Sequence, residues 1–235
     1  MMKRTSLSEF SNPRAGGVKA AGVKKGDRVM EVTLSDGTAE LMLLSTGGRA
    51  IRFGETDVSV MGRTAVGVKG MGLKGTDEIV GMIMIRREST VLTVTEDATS
   101  KRTPVSEFPL QKRGGMGTLA VPASTAGRVV AALEVLDADE VMFISYTGKV
   151  NRIAADAVPV QGRRTQGRKM MKLTVGDRIV EVTRTQGDGP ASTSLAEAAS
   201  GPDRMGEADP PDGPDEPDGV GRPDGPDRQL DLLGE

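Results

Sequence analysis

The stretch Gln111-Lys112-Arg113-Gly114-Gly115-Met116-Gly117 puts two cations and three glycines into seven residues. Glycines carry no side chain to hold a ligand away, so their backbone amides can approach a phosphate closely while the cations supply counter-charge. The chemistry on offer is therefore the binding of a polyanion. Covalent chemistry has far less to draw on. The chain has no histidine and no cysteine, which removes the usual general base, the usual zinc ligand, thiolate metal sites and disulfides together. Its single tyrosine, Tyr146, stands where a strand runs into a turn and reads as a half-buried strand aromatic. No Gly-x-x-x-x-Gly-Lys-[Ser/Thr] phosphate loop occurs. The expectation is a chain without catalytic residues, metal ligands or a cofactor.

The glycine turn is one of four. Arg14-Ala15-Gly16-Gly17-Val18-Lys19, Arg63-Thr64-Ala65-Val66-Gly67-Val68-Lys69 and Arg164-Thr165-Gln166-Gly167-Arg168-Lys169 repeat its character. About a dozen residues before each stands a basic landmark: Lys3-Arg4-Thr5, Ile51-Arg52-Phe53, Lys101-Arg102-Thr103-Pro104 and Asn151-Arg152-Ile153. Arg4, Arg52, Arg102 and Arg152 are separated by 48, 50 and 50 residues. A third landmark follows each turn, in Gly26-Asp27-Arg28-Val29, Thr76-Asp77-Glu78-Ile79, Gly127-Arg128-Val129-Val130 and Gly176-Asp177-Arg178-Ile179. Three landmarks recurring in one order define four units of a repeat, at about 1–48, 49–98, 99–148 and 149–185.

The elements that position these residues read as strands. Val29-Met30-Glu31-Val32-Thr33-Leu34, Leu41-Met42-Leu43-Leu44-Ser45, Thr90-Val91-Leu92-Thr93-Val94-Thr95 and Val141-Met142-Phe143-Ile144-Ser145 are short apolar or β-branched runs. Turn signals such as Ser35-Asp36-Gly37 and Thr46-Gly47-Gly48 bound them, and no capped run with a 3.6-residue apolar stripe is present. The fold class is all-β: blades of about four strands in a β-propeller or β-pinwheel, with a β-solenoid or two packed sandwiches as the alternatives. Four units fit a small closed ring or part of a longer one. Aromatics are confined to Phe10, Phe53, Phe108, Phe143 and Tyr146, so the core must come from Val, Ile, Leu and some of the thirteen methionines.

The net charge of −2 hides a division. Residues 1–185 hold 28 Lys and Arg against 20 Asp and Glu, a balance of +8, whereas residues 186–235 hold 3 against 13, a balance of −10. A basic body is thus followed by a tail in which Pro-Asp-Gly recurs at 211–213, 217–219 and 223–225, a composition that predicts disorder. The split suggests that the tail competes with a polyanion for the body. No run approaches the roughly 20 apolar residues of a membrane span, and a soluble, cytoplasmic protein is expected.

In combination these motifs resemble the C-terminal domain family of the DNA gyrase A subunit. The heptad is similar to that family's signature box, Gln-Arg-Arg-Gly-Gly-Lys-Gly. Lys101-Arg102-Thr103-Pro104, Ile51-Arg52-Phe53, Met61-Gly62-Arg63-Thr64-Ala65 and Thr165-Gln166-Gly167 match its blades, so that the resemblance covers residues 3 to about 183. It implies a six-bladed β-pinwheel with a basic rim that wraps double-stranded DNA. It implies two partners as well, the gyrase B subunit together with the remainder of the gyrase A subunit, in an assembly that introduces negative supercoils. Catalysis would lie elsewhere: a tyrosine-bearing region of the A subunit for strand breakage, the B subunit for ATP hydrolysis. Met116 departs from the box, which has lysine there, and the heptad falls in the third unit rather than the first. By order of motifs the four units resemble the last four of six blades, and the heptad a degenerate copy of the box. The contact set this implies is Gln111, Lys112, Arg113, Gly114, Gly115 and Gly117, with a belt of Arg4, Arg14, Arg52, Arg63, Lys69, Arg102, Arg152, Arg163, Arg164, Arg168 and Lys169. Alternatives are the matching domain of topoisomerase IV and a propeller scaffold that binds proteins.

Overall fold

Apolar and β-branched runs become strands here wherever a partner strand is available to take their backbone hydrogen bonds. The computed structural model describes residues 1–122 and 127–185, and the acidic tail lies outside the described residues. In chain order the strands are β1 (Glu40–Ser45), β2 (Arg49–Gly54), β3 (Ile79–Ile85), β4 (Thr90–Thr95), β5 (Thr99–Pro104), β6 (Thr118–Leu119), β7 (Val129–Val135), β8 (Glu140–Ser145), β9 (Val150–Ala154), β10 (Arg168–Lys169) and β11 (Ile179–Thr185). The only helical elements among the described residues are four short 3-10 turns, at Leu7–Phe10, Glu55–Asp57, Val105–Glu107 and Ala155–Ala157.

The strands form three antiparallel sheets, ordered β3-β1-β2-β6, β7-β4-β5-β10 and β11-β8-β9. Each is built on a tight hairpin: β1–β2, β4–β5 or β8–β9. One flank of the hairpin is covered by the next long strand in the chain, so that Glu40 lies opposite Ile85 and Thr90 opposite Val135. The other flank of the first two hairpins is covered by a two-residue strand from the next glycine turn, with Ala50 opposite Thr118 and Ser100 opposite Arg168. The sheets therefore cut across the sequence repeat: each four-stranded sheet takes strands from three successive units.

Apolar side chains weld the sheets to one another. Leu92, Val94, Val135, Val141, Phe143 and Val182 form one buried cluster across the second and third sheets. Met42, Leu44, Ile83, Val91, Phe108 and Ala132 form another across the first and second. Burying each of the larger side chains contributes about 1.5–3 kcal/mol, and both clusters join one sheet to the next. Phe53, Phe108 and Phe143 fill the centres, as a core poor in aromatics requires.

Two sequence expectations are corrected. Val29–Leu34 is not a strand, although the runs that follow it at 50-residue intervals are β3, β7 and β11. Those three pair with β1, β4 and β8. Residues 29–34 have no such partner among the described residues, and Val32 is left 84% exposed. Tyr146 is not half-buried. It is exposed at the hairpin turn between β8 and β9, with the Arg178 guanidinium 4.3 Å from its ring centre.

The glycine turns close against the preceding hairpin. Gly67, Gly117 and Gly167 all have positive φ, and a Cβ on them would strike the carbonyl oxygens of Met2, Ala50 and Ser100, at 2.6 Å in the last case. Gly17 has the same backbone conformation, with nothing within 4 Å. Gly167→Ala should therefore destabilise the chain by at least about 2 kcal/mol, and Gly17→Ala by only the left-handed cost of about 1 kcal/mol. Urea unfolding of the two variants checks this; equal losses would show that the carbonyl contact does not matter.

Candidate nucleic-acid interface

Three of the four basic landmarks lie on the second strand of a hairpin, and all four stand just before a 3-10 turn. The following unit folds back over this strand, and the landmark arginines reach across to it. Arg4 Nε donates to the carbonyl of Val58 (2.8 Å). Arg52 Nη1 donates to those of Val105 (3.0 Å) and Phe108 (3.1 Å). Arg102 Nε donates to that of Val158 (2.9 Å). Each has a carboxylate as well: Glu55 for Arg4 at 3.7 Å, Glu40 for Arg52 at 2.5 Å, and Asp137 for Arg102. The Arg102 side chain is only 5% exposed. Arg152, which has no following unit to reach among the described residues, pairs with Glu140 and is 56% exposed. Three landmark arginines are thus committed to joining units, and a phosphate would have to compete with those bonds.

Lys101 goes further in the same direction. It is fully buried, and its ammonium donates to the carbonyls of Gly162 (2.8 Å), Arg163 (2.7 Å) and Thr165 (2.8 Å). The third bond has a local reason. In the two earlier turns the corresponding carbonyl is met by a backbone amide, Gly22 N–H to Ala65 and Gly72 N–H to Gly115. The residue in that place here is Pro122, which has no N–H to give.

The heptad turn is similarly built into the body. Its Gln111 amide donates to the carbonyl of Arg52 (2.8 Å) and its Gly114 amide to that of Gly70 (2.6 Å). Arg49 donates to the carbonyls of Met116 and Gly117, both at 2.8 Å. Met116 packs its sulfur over Gly72, so close that a Cβ there would lie 2.8 Å from it. Arg113 donates to the carbonyls of Asp57 (2.6 Å) and Lys69 (3.1 Å). Lys112 stays exposed, and so does Gly115. Of the other cations at the Arg113 position, Arg163 donates to the carbonyl of Leu119 (3.2 Å) and Arg63 lies 4.0 Å from Glu9; the first turn has Pro13 there, with the adjacent Arg14 exposed.

Most of the cations that remain exposed without a side-chain hydrogen bond or ion pair among the described residues lie on the glycine turns or the few residues after them. They are Arg14, Lys69, Lys112, Arg164, Arg168 and Lys169 from the expected set, with Lys19, Lys24, Lys25, Lys74 and Lys172 added; Arg87 and Lys149 sit instead between β3 and β4 and between β8 and β9. Lys19 was legible, because it precedes Lys69 and Lys169 by 50 and 150 residues. Arg168 and Lys169 make up β10, the edge strand of its sheet, where long cations also guard an unpaired backbone against further pairing. Around the first turn a cleft of about 630 Å³ is lined by Ser8, Asn12, Arg14, Lys19, Arg63 and Thr64. No group of three acidic side chains able to hold a metal ion occurs among the described residues.

The family model for the DNA gyrase C-terminal domain, a beta-propeller, matches residues 1–35, 39–86, 89–135 and 139–186. The chain belongs to that family. Its segments keep step with the three hairpins and the partial unit before them. The DNA gyrase A subunit of Klebsiella oxytoca is 39% identical over 184 residues, 78% of this chain and 21% of that protein. The one from Pseudomonas aeruginosa is 36% identical over 209 residues, 88% of this chain and 23% of that protein. The chain spans about a fifth to a quarter of the length of these curated relatives. Among solved structures, the C-terminal domain of DNA topoisomerase IV superposes with a TM-score of 0.75 at 25% identity, covering 79% of this chain and 58% of that one. The DNA gyrase A C-terminal domain gives 0.70 at 28% identity, with 77% and 61% covered. The propeller architecture stands on both, and the solenoid and sandwich alternatives fall.

Burial holds the Lys101 ammonium down to about pKa 8, from an ordinary value of 10.5; Glu107 opposes that shift and Arg163 adds to it. Below pH 8 the ammonium is charged in both states, and the folded chain bears the full cost of burying it. Between pH 8 and 10.5 the unfolded chain binds more protons, so Lys101 makes stability rise with pH, by about 3 kcal/mol across the window. Lys101→Met removes that rise and strands three carbonyls. Denaturation at pH 7.5, 9 and 10.5 should show parent minus variant stability growing with pH; a constant difference would refute a depressed Lys101.

Proposed function

We propose that this chain is a non-catalytic DNA-binding part of a gyrase A subunit, which bends duplex DNA around its basic turns. The observation that carries the reading is the recurrence of exposed cations on the glycine turns, Lys19, Lys69 and Lys169 in one register on three of the four, on a fold of the gyrase C-terminal family. Cations on neighbouring sheets meet a phosphate backbone at several places along one path, which positions and bends DNA with little reading of bases. Bending ~20–30 base pairs by ~40–90° costs on the order of 1–6 kcal/mol, so the contacts must act together. The contact set that best fits this duty is Arg14, Lys19, Lys69, Lys112, Arg164, Arg168 and Lys169. Arg4, Arg52, Arg102 and Lys101 serve mainly to hold the units that carry it.

In this reading the working assembly contains the B subunit, for ATP hydrolysis, together with the rest of the A subunit, for tyrosine chemistry. Both use the bent DNA for negative supercoiling. Residues 1–185 are the binding body, and residues 186–235 an acidic segment that competes with DNA for it. The balance of +8 against −10 supports that competition.

Binding of the full chain to a short linear duplex and to a minicircle, across a salt series, tests the proposal. Affinity should favour the minicircle and fall roughly 10³-fold between 50 and 200 mM salt if about six phosphates are neutralised. Binding that ignores salt would point instead to a protein-binding scaffold. Combined Lys69→Ala, Arg168→Ala and Lys169→Ala substitutions should flatten the salt slope by roughly 0.9 for each phosphate no longer neutralised, with the urea midpoint unchanged. Deleting residues 186–235 should tighten binding at low salt and have little effect at high salt, where charge competition is screened. Equal affinity at low salt would remove the tail from the mechanism.

A further inference from the structure

Successive units hold an apolar side chain out to solvent at one place on their outer edge. Val60, Leu110 and Val160 stand 50 residues apart and are 63%, 60% and 52% exposed. Each follows, two residues on, a buried apolar residue whose backbone is extended: Val58, Phe108 or Val158. Alternate side chains of an extended stretch point to opposite faces, and the outward one is ordinarily polar. Here it is apolar three times in one register. Leu110 has units both before and after it and is as exposed as the other two, so the ends of the chain do not account for the exposure.

The backbone fixes these positions. Val60 bridges to Arg4, Leu110 to Arg52 and Val160 to Arg102, each in parallel. The next amide along, that of Met61 (2.9 Å), Gln111 (2.8 Å) or Gln161 (2.8 Å), donates to the carbonyl of the same arginine. Two residues back on the landmark strand, the far arm of the glycine turn is pinned as well, Val68 opposite Met2, Thr118 opposite Ala50 and Arg168 opposite Ser100. The apolar residue and the far foot of the turn thus share one strand edge, about 7 Å apart. Exposed cations stand close by in sequence: Lys69 after Val68, Lys112 two residues after Leu110, and Arg164, Arg168 and Lys169 on the turn that follows Val160.

A fixed hydrocarbon beside a cation suits a ligand whose own surface alternates charge with hydrocarbon. The backbone of duplex DNA has that character, because phosphates alternate with deoxyribose rings whose C–H faces are apolar. A protein partner fits less well, since the apolar residues come one per unit, set among cations, rather than as a continuous patch. We infer that Val60, Leu110 and Val160 are the non-ionic half of a DNA contact, each packing on a deoxyribose of the strand whose phosphates the neighbouring turn cations meet. The inference rests on the DNA-binding reading given above and adds to it a component of affinity that salt does not screen. Only a duplex that follows the outer edge of successive sheets reaches all three side chains, so the row favours bent DNA over straight.

The triple variant Val60→Ser, Leu110→Ser, Val160→Ser tests this without changing any charge, and its exposed sites should leave the urea midpoint at the parent value. Full-length parent and variant are titrated with the short linear duplex and the minicircle across the salt series. The variant should bind ~10-fold or more weakly at every salt concentration, with the larger loss on the minicircle. Its plot of log affinity against log salt should run parallel to that of the parent, because the number of neutralised phosphates is the same. Val60→Leu with Val160→Leu keeps the hydrocarbon and should keep the parent affinity. A variant that matches a steeply salt-dependent parent would leave the row to a protein partner and overturn the inference, while the DNA-binding reading stands. A flattened slope would overturn it too, since the serines would then have acted by displacing the cations. A parent that binds neither DNA would sink both readings together.

Discussion

A two-stranded hairpin in water is marginal, and every hairpin of this chain depends on strands that arrive later in the sequence. β1 and β2 gain β3 on one side and β6 on the other, and β4 and β5 gain β7 and β10. The overlap binds each unit to the next through backbone ladders as well as through side chains, so no unit is stable by itself. Close approach of backbone to backbone is the enabling condition. It is why the turn glycines at 67, 117 and 167 have positive φ and a carbonyl where a side chain would begin. It also explains why so many polar bonds run between units that are some 50–60 residues apart, such as Arg102 to Val158 and Lys101 to Gly162. In a repeat array stability is the sum of such neighbour terms, and both ends of the array feel their loss.

That constraint divides the basic residues by duty. A cation on the second hairpin strand lies under the following unit and becomes a donor to its carbonyls. On the glycine turns Arg63, Arg113 and Arg163 are tied to the body, whereas Arg14, Lys19, Lys69, Lys112, Arg164, Arg168 and Lys169 stay exposed and keep their charge for solvent or a ligand. The same division explains why Arg102 is 5% exposed and Arg152, its repeat equivalent, 56%. The arginine recurs, and Arg102 alone of the two has a following unit reaching over it among the described residues.

The repeat, the strand class and the first strand of each hairpin, at 41–45, 90–95 and 141–145, were legible, because a 50-residue period and short β-branched runs between glycine turns are local signals. The interleaving was not legible. Nothing in Thr118-Leu119 or Arg168-Lys169 marks a strand, since two residues carry no periodicity and their pairing is set by a hairpin almost 70 residues earlier. For the same reason Val29–Leu34 reads as a strand and is not one: its sequence matches its siblings, but strand formation depends on a partner that the run itself does not encode. The site was half legible. Spacing located the cations at 4, 52 and 102, and charge alone could not tell a buried staple from an exposed contact. Tyr146 was misread for a related reason. A hairpin tip next to Arg178 is exposed however β-like the preceding residues are.

Where the units diverge, a single structural need is met by different chemistry. The hairpin turns at 46–48 and 146–148 take their capping carboxylate from Asp77 and Asp177, whereas the turn at 96–98 carries its own in Asp97, which accepts from Thr95 and Thr99, and the distant position is Gly127. The left-handed turn residue is Gly48 or Gly148 in two hairpins and Ala98 in the third. Lys3 and Lys101 hold their glycine turns through carbonyls. Ile51, at the same position, has no charge to offer and is buried against the heptad turn, which is pinned instead by Gly70 and Gly72. The most phosphate-like motif in the sequence is thus a turn whose backbone is largely spent on its own body. Met116 fits that account, since a thioether over Gly72 packs where a lysine would have to leave. The heptad's contribution to an anion then rests on the Lys112 side chain, and the weight of recognition shifts to the cations on the neighbouring turns.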